Sequence, residues 1–564
     1  PPCSHVLLFP YQERCSFIRN TTECHGAAHY VDYLEFIFCT IGVHDTNLFV
    51  AGLAIIMVVC LYLFTILAST ADKFFCPALA AVSKMLKMSE SLAGVTLLAF
   101  GNGSPDIFAS VSHSMGDTEI IYTELLGAAI FVTGFIAGCI ILIKPFKVVG
   151  HNYIRDVLFF MFAVAVIDYF IHDKGYTLIE GFGTVGIYIA YLVYVIFDHI
   201  QAKKQLIDLH RKLSGEISIE VEEGTDIEEN VENMAKLAED LEVATEFKIH
   251  NRKDSSVIMD EDILKIFDVH FNSTPNKHLF KTFVSSINPI EVEAWKESGV
   301  FSKIFMALKS PVILFLHFII PIFDYGEERH GWSKLLNMLN IVTLPQLVLF
   351  VTGHIKMLLF NYVPLSLIIV VISLGVSISV FFTSRNDCPP KYHVIFAAGS
   401  LLGSICIIYA VAKEVVSVMK TIGIITDRSD SMVGLMFLAI GNSIGDLFSN
   451  ISLAKQGYSQ MAFAACFGGP MFNSLLGVGL TFIIKAWHSE EKEAFTREGA
   501  LGPNCNIFLL IILFFPCMGM SFMNFYARRS VGVYMIIIYF MFILYAWLGE
   551  LEIMHPYGTD HQKT

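Results

Sequence analysis

Apolar runs of the length that crosses a hydrocarbon core of roughly 30 Å as a helix recur along the chain. A first group lies near 48–70, 91–113, 120–143, 154–172 and 176–200, and a last group near 393–416, 431–453, 460–485, 504–524 and 532–551. Two further runs, 339–359 and 363–383, predict spans between the groups. The run 311–323 is too short to span and Pro311 and Pro321 bracket it, so an interfacial or re-entrant segment is expected there. The pattern predicts an all-α polytopic membrane protein. It divides into an N-terminal extramembrane segment (1–47), a first transmembrane group (48–200), a polar linker loop (201–310), extra membrane segments (311–392), a second transmembrane group (393–553) and a short tail (554–564).

Two places break the apolar pattern in the same way. Gly101 to Ser110 reads GNGSPDIFAS, and Gly441 to Asn450 reads GNSIGDLFSN, each inside an apolar run. Aligning Ser89–Ser110 with Ser429–Asn450 at a constant offset of 340 gives nine identities in 22 positions, among them Ala99/Ala439, Gly101/Gly441, Asn102/Asn442, Asp106/Asp446 and Phe108/Phe448. The echo continues one residue out of register, where Gly127 and Phe131 parallel Gly468 and Phe472, and Gly138 parallels Gly479. With an even number of spans between the copies, the second copy enters the membrane from the opposite side. That is the inverted repeat of secondary transporters, whose sites sit near the midplane on interrupted helices. Five-helix repeats of inverted topology, giving a ten-helix core plus about two extra spans, are therefore expected.

A carboxylate in the middle of a span costs at least about 2.5–3.5 kcal/mol, so Asp106 and Asp446 call for a partner or an aqueous path. Gly101, Gly103 and Pro105 in the first motif, and Gly441 and Gly445 in the second, are expected to interrupt the helix and free carbonyls for coordination. Asn102, Asn442 and Asn473 add amide oxygens and Ser443 a hydroxyl. A set of oxygens without Cys or His suits a hard cation, and Ca²⁺ accepts six to eight of them. Two carboxylates balance one Ca²⁺, two Na⁺ or two H⁺. Such a site is unfavourable to move empty and acceptable to move with either load, which is the logic of exchange.

Composition agrees with a membrane protein: 54% of residues are hydrophobic and 16% charged, and the mean hydropathy is +0.60. A soluble domain carries about a quarter charged residues. The net charge of −14 gives no reason to expect a nucleic-acid partner, and much of it lies between Glu216 and Glu246, where Lys236 is the lone base. That run reads as a solvated linker and lacks the Asp-x-Asp-x-Asp-Gly spacing of an EF-hand. Lys73, Lys84 and Lys87, then Lys144, Lys147 and Arg155, then Lys203 and Lys204 mark one side of the membrane, which places the N-terminus outside and the large loop inside. Lys413, Lys420 and Arg428 run against that orientation. Cys3, Cys15, Cys24 and the sequon at Asn20 point to an oxidising face for the N-terminus, with the pairing unreadable. The start at Pro1 without Met points to a removed targeting peptide. Arg252-Lys253-Asp254-Ser255 offers a candidate kinase site at Ser255 in the loop.

GNGSPDIFAS, GNSIGDLFSN and GGPMFNSLLGVG together resemble the two α-repeats of the cation/Ca²⁺ exchanger superfamily, in particular its mitochondrial, sodium- and lithium-linked branch. The resemblance implies a ten-helix inverted-repeat core with a central site on the second and third helices of each half. It assigns Asp106 and Asp446 to the central acids, and Asn102, Asn442 and Ser443 to flanking ligands. It makes Ala99 and Ala439 carbonyl donors, and Asn473 the last helix's ligand. It also implies no cofactor, Ca²⁺ exchanged for Na⁺ or Li⁺, and the inner mitochondrial membrane. Membrane lipids and the cations themselves are then the partners, and a homo-oligomer is compatible with the sequence.

This chain departs from better-known exchangers. They carry hydroxyls where Asn102 and Gly103 stand, and a hydroxyl and an amide where Ala128 and Val132 stand. Fewer side-chain oxygens weaken separate Na⁺ positions more than a Ca²⁺ position between two acids, and paired carboxylates share protons readily. Coupling to H⁺ is therefore a second reading. An intramembrane aspartyl protease also uses two membrane Asp residues, but its Gly-x-Gly-Asp motif is absent before Asp106 and before Asp446. A channel can use acidic rings, whereas a closed midplane site on inverted repeats favours alternating access.

Overall fold

In lipid every backbone N–H and C=O has to be paired within the chain, and these apolar runs do so as helices. The structure, a computed structural model, describes residues 3–550 apart from 4–5, 7–8, 22–23, 25–29, 42–45, 87, 104–106, 108–124, 173–176, 221–275, 277, 291–294, 297–298, 325–327, 360–361, 391, 426–434, 436–438 and 489–500. In chain order the helices are α1 (Tyr11–Asn20), α2 (Phe49–Met85), α3 (90–103), α4 (Leu125–Ile143), α5 (Gly150–His172), α6 (Leu178–Glu220), α7 (Leu279–Ile287), α8 (Val300–Ile319), α9 (Lys334–Val351), α10 (Leu365–Thr383) and α11 (His393–Ile425). The second copy continues with α12 (Ile444–Lys455), preceded by one turn at Ala439–Asn442, then α13 (Ser459–Ile484), α14 (Leu501–Phe522) and α15 (Arg529–Glu550). Among the described residues nine helices are long and apolar enough to cross a membrane. The three expected spans outside that count are the motif-bearing α3 and α12, and α5, which carries Arg155, Asp156 and Asp168.

Several expected boundaries move. The first span does not stop at 70: α2 passes through a π-helical turn at Ala71–Phe75 and runs to Met85, so Lys73 and Lys84 are helical rather than in a loop. Lys203 and Lys204 likewise lie on α6, and Lys413 and Lys420 on α11. Lys and Arg are good helix formers, so the helices continue past the point where hydropathy falls. Pro311 does not bracket a short segment but lies inside α8, whose apolar stretch is Met306–Ile319. The expected span 339–359 ends at Val351, where Thr352 and left-handed Gly353 close the helix (φ 76°). The chain then forms a short hairpin of β2 (Leu358–Leu359) with β3 (Val363–Pro364), β1 being Phe146–Lys147 and β4 Tyr526–Ala527.

The chain forms two compact units, Pro1–Leu67 with Ser91–Tyr194 and Tyr409–Thr564, and Ala68–Glu90 with Val195–Ile408. In the second, α9 and α10 pack side by side, and the buried Lys334 ammonium donates to Asn276 Oδ1 and the Ser384 carbonyl, both at 2.9 Å. Trp332 stacks edge-on against His393, and Leu344 packs over Gly403 on α11.

The first unit holds the N-terminal segment and the two repeats. Disulfides join Cys3 to Cys24 and Cys15 to Cys39, so Cys39 completes the set of which the sequence had suggested three. The repeats run antiparallel. Near one end of α5 Gly150 packs on the Phe525 ring, and near the other end Asn506 of α14 donates to Asp168 Oδ1 at 2.6 Å. Strand β1 follows α4 and pairs antiparallel with β4 (Phe146↔Ala527), which joins α14 to α15. The 23 residues of α5 extend about 35 Å, so corresponding connections of the two copies fall on opposite faces. This is the inverted arrangement expected from the sequence.

Glycines carry the crossings between the copies, and the crossings come in reciprocal pairs. A Cβ at Gly127 meets the Leu435 carbonyl at 2.7 Å, and one at Gly468 meets Val95 Cα at 2.7 Å. Leu435 and Val95 are themselves related by the 340-residue offset. A Cβ at Gly138 meets the Gly532 carbonyl at 2.8 Å, and one at Gly479 the Gly181 carbonyl at 3.2 Å. Residue i touching j′ while j touches i′ is the signature of a two-fold axis, and small residues let membrane helices approach this closely.

Candidate functional site

The two copies meet where the acidic motifs lie. In α3 a π-helical stretch at Gly94–Leu98 leads into helical residues 99–103. In α13 a matching π-helical stretch, Asn473–Gly477, begins at the expected ligand, and Phe131–Ile136 of α4 repeats it in the first copy. Such widened turns gather at functional sites because they leave carbonyls poorly paired and re-aim side chains.

Asn102 ties the copies together. Its amide donates to Ser449 Oγ at 2.8 Å, and Ser449 Oγ in turn donates to the Gly445 carbonyl at 2.8 Å. Ser449 lies one turn after Asp446 on α12, so this bond joins α3 to the helix that carries the acid. Asn102 Oδ1 is buried with no hydrogen-bond partner among the described residues, and the same holds for the Ser443 hydroxyl. Leaving a buried polar atom unpaired costs about 1–3 kcal/mol, so two such oxygens beside one half-buried carboxylate fit a cation's coordination shell. Gly103 faces Asn473: a Cβ there lands on Asn473 Oδ1 and comes within 2.7 Å of the Phe472 ring. The structure therefore brings Asn102, Gly103, Asp446 and Asn473 together from three helices. Among the described residues no group of three or more His, Cys, Asp or Glu could hold a metal ion, so the oxygens here are chiefly amide and hydroxyl.

Other expected residues stand differently. Asp106 and Pro105 lie outside the described residues, as does Ser255. Residues 99–103 are helical, so Gly101 does not interrupt α3; Gly103 is the last described residue before 104–106. Gly103 is a point of close approach to Asn473 and Phe472. In the second copy Gly441 and Gly445 are helical too, and the break falls between them at Ser443 (φ −82°, ψ 5°). Even there the ladder nearly continues: Ser443 N–H donates to the Ala439 carbonyl at 3.1 Å, and Leu447 N–H to Ser443 at 3.0 Å. One lone pair of Ala439 is therefore used by the helix, and what remains for a ligand is the second. Asn442 is half-buried and Ala99 buried. Asn20 is exposed, as a glycosylation acceptor has to be.

The sequence missed Ser449 and Phe472 as parts of the site. Ser449 sits one turn after Asp446 on the same helical face, but its repeat partner is Ala109, so the repeat carried no signal for it. Val132 is the repeat partner of Asn473 and is buried, which makes the site asymmetric. Gly103→Ala is expected to displace Asn473 Oδ1 and weaken cation binding about tenfold, the effect of one lost ligand-strength hydrogen bond. Gly183→Ala, where nothing lies within 4 Å, should leave binding unchanged. Cation titration of the purified variants reads both.

A family model described as sodium/calcium exchanger protein matches residues 56–197 and 396–548. The mitochondrial sodium/calcium exchanger protein of Rattus norvegicus is 32% identical over 98% of this chain and 90% of its own. That of Gallus gallus is 32% identical over 99% and 92%. Cation/calcium exchanger 1 of Arabidopsis thaliana is 28% identical over 86% and 78%.

Proposed function

Because the chain belongs to the sodium/calcium exchanger protein family, we propose that it is a secondary active antiporter which moves Ca²⁺ across a membrane against monovalent cations. It is a transporter and not an enzyme. The observation that carries the reading is the hydrogen bond from Asn102 to Ser449, one turn beyond Asp446, which joins the acidic motifs of opposite, antiparallel repeats.

Ca²⁺ is held between Asp106 and Asp446, with Asn102 Oδ1, Ser443 Oγ and Asn473 Oδ1 as neutral ligands and Asn442, Ala99 and Ala439 around them. Two carboxylates cancel one Ca²⁺ or two monovalent ions. The loaded site then crosses the low-dielectric region at far lower cost than the doubly charged empty one. Occupancy thus licenses the conformational step, and the two ions compete for one site in turn. Inverted repeats supply the two states, because exchanging the conformations of the two halves turns an outward-open molecule inward.

Na⁺, with Li⁺ as a substitute, is the counter-ion, and the inner mitochondrial membrane is the location, supported by the names of the rat and chicken relatives. H⁺ is the second reading, favoured by one observation: Val132 stands where the repeat would place a second Asn473, so the neutral oxygens available to separate Na⁺ ions are fewer. Phosphorylation at Ser255 would add about −2 to an already acidic loop and tune the rate.

The test is ⁴⁵Ca²⁺ uptake into proteoliposomes under an imposed Na⁺, Li⁺ or pH gradient, or none. Uptake driven by Na⁺ and Li⁺ is expected. Uptake driven by the pH gradient alone moves the coupling to H⁺, and uptake indifferent to every gradient contradicts exchange.

A further inference from the structure

The disulfide-joined N-terminal segment is more than a cover, because of what it grips. Its buried residues Cys3, Cys24, Tyr33 and Phe38 form one apolar cluster with Ile56 and Cys60 of α2 and with Val418 of α11. Helices α2 and α11 are the opening helices of the two repeats, so a single small module packs on both. At the centre is a carboxylate. Glu414 of α11 is 7% exposed, and it accepts from the Tyr33 hydroxyl at 3.0 Å and from the Tyr30 backbone N–H at 2.5 Å. Burial first, and Glu414 second, push the Tyr33 phenol well above its ordinary value, so it keeps its proton and donates. Within the module Arg19 pairs with Glu35 at 2.7 Å, tying α1 to the segment that carries Tyr33.

The grip reaches the transport site. Phe64 of α2 packs on the edge of the same cluster, and its ring lies 5.9 Å from that of Phe448, two residues beyond Asp446. A module of about 40 residues cannot hold a core unaided and depends on its disulfides. The other eight cysteines are thiols, so a reductant acts on the two N-terminal bonds alone.

We infer that the N-terminal module is a redox-sensitive clamp, which through Glu414 and the shared cluster holds α2 and α11 together and restrains ion exchange until its disulfides are reduced. Reduction by a dithiol breaks each S–S bond to two thiols, while the reductant gives up two electrons and two protons and closes to its own disulfide. The module then loses its core, Tyr30 and Tyr33 leave Glu414, and the opening helices gain freedom to move. The restraint of exchange rests on the antiport reading; the grip on α11 does not.

The experiment uses the full chain in lipid nanodiscs and proteoliposomes, with and without dithiothreitol, beside Glu414→Gln and a Cys3→Ser/Cys24→Ser variant. Hydrogen exchange of peptides covering 409–425 should speed up about tenfold on reduction, and likewise in Glu414→Gln without reductant, as expected for opening of a local unit. Ca²⁺ turnover should rise about fivefold, the effect of removing one restraining hydrogen bond of ordinary strength. A merely structural module would instead lose activity on reduction. Unchanged protection at 409–425 overturns the clamp, and lost protection with constant or lower turnover overturns its restraining role. If the oxidised protein carries no Ca²⁺ at all, the antiport reading fails, while the protection data still decide whether the module grips α11.

Discussion

Asp446→Asn is expected to lower Ca²⁺ affinity by at least about 100-fold and to abolish measurable exchange, a loss of about 2.7 kcal/mol or more. Unit charges about 4 Å apart at an effective dielectric of about 20 attract by about 4 kcal/mol, and a divalent ion doubles this. Desolvation offsets part of that attraction. Asn keeps the shape but removes the charge, so the packing between the repeats should survive. Equal yield and equal thermal midpoint beside a lost Ca²⁺ response would mark the defect as one of binding. A variant with normal exchange would remove Asp446 from the site.

The second large effect concerns packing. Gly468→Ala places a Cβ 2.7 Å from Val95 Cα, which is backbone and cannot rotate away. Overpacking of this kind costs about 1–3 kcal/mol. Here it also separates α13 from α3, the pair that presents Asn473 to Gly103. Gly469→Ala is the matched control, since a Cβ one residue later meets nothing within 4 Å. Thermal unfolding in detergent should show a lower midpoint for Gly468→Ala and an unchanged one for Gly469→Ala. Equal midpoints would mean that the crossing of α3 and α13 is looser than the structure describes.

Much of this was legible in the sequence, for physical reasons. Lipid demands unbroken apolar runs, so the spans show in hydropathy, and two Asp residues in such runs stand out against their cost. The 340-residue repeat made the pair interpretable as one site. Inversion of the second copy was the expectation that set the count of extra spans at two, and the antiparallel packing of α5 with α14 agrees with it. Other features left no local trace. Hydropathy reports where lipid ends and not where a helix ends, so Lys73 and Lys84 read as loop although α2 carries both. Gly103 and Gly441 read as breakers because glycine is a poor helix former, while in the fold Gly103 is a helical contact point. Nothing within either motif could reveal that, because the partner surface comes from the other copy. The pairing of Cys15 with Cys39, and the seat of Tyr33 on Glu414 across 381 residues, depend on tertiary contacts of the same kind.

Asp106 and Asp446, from opposite repeats, are proposed to form a single Ca²⁺ site. Equilibrium binding of ⁴⁵Ca²⁺ to the purified protein tests it most directly, with Asp106→Asn and Asp446→Asn measured in parallel. A single Ca²⁺ bound per wild-type chain, and loss of that binding in either variant alone, is the expected result. Retention of full-affinity binding by either variant would show that the two acids do not share one ion, and would contradict the account.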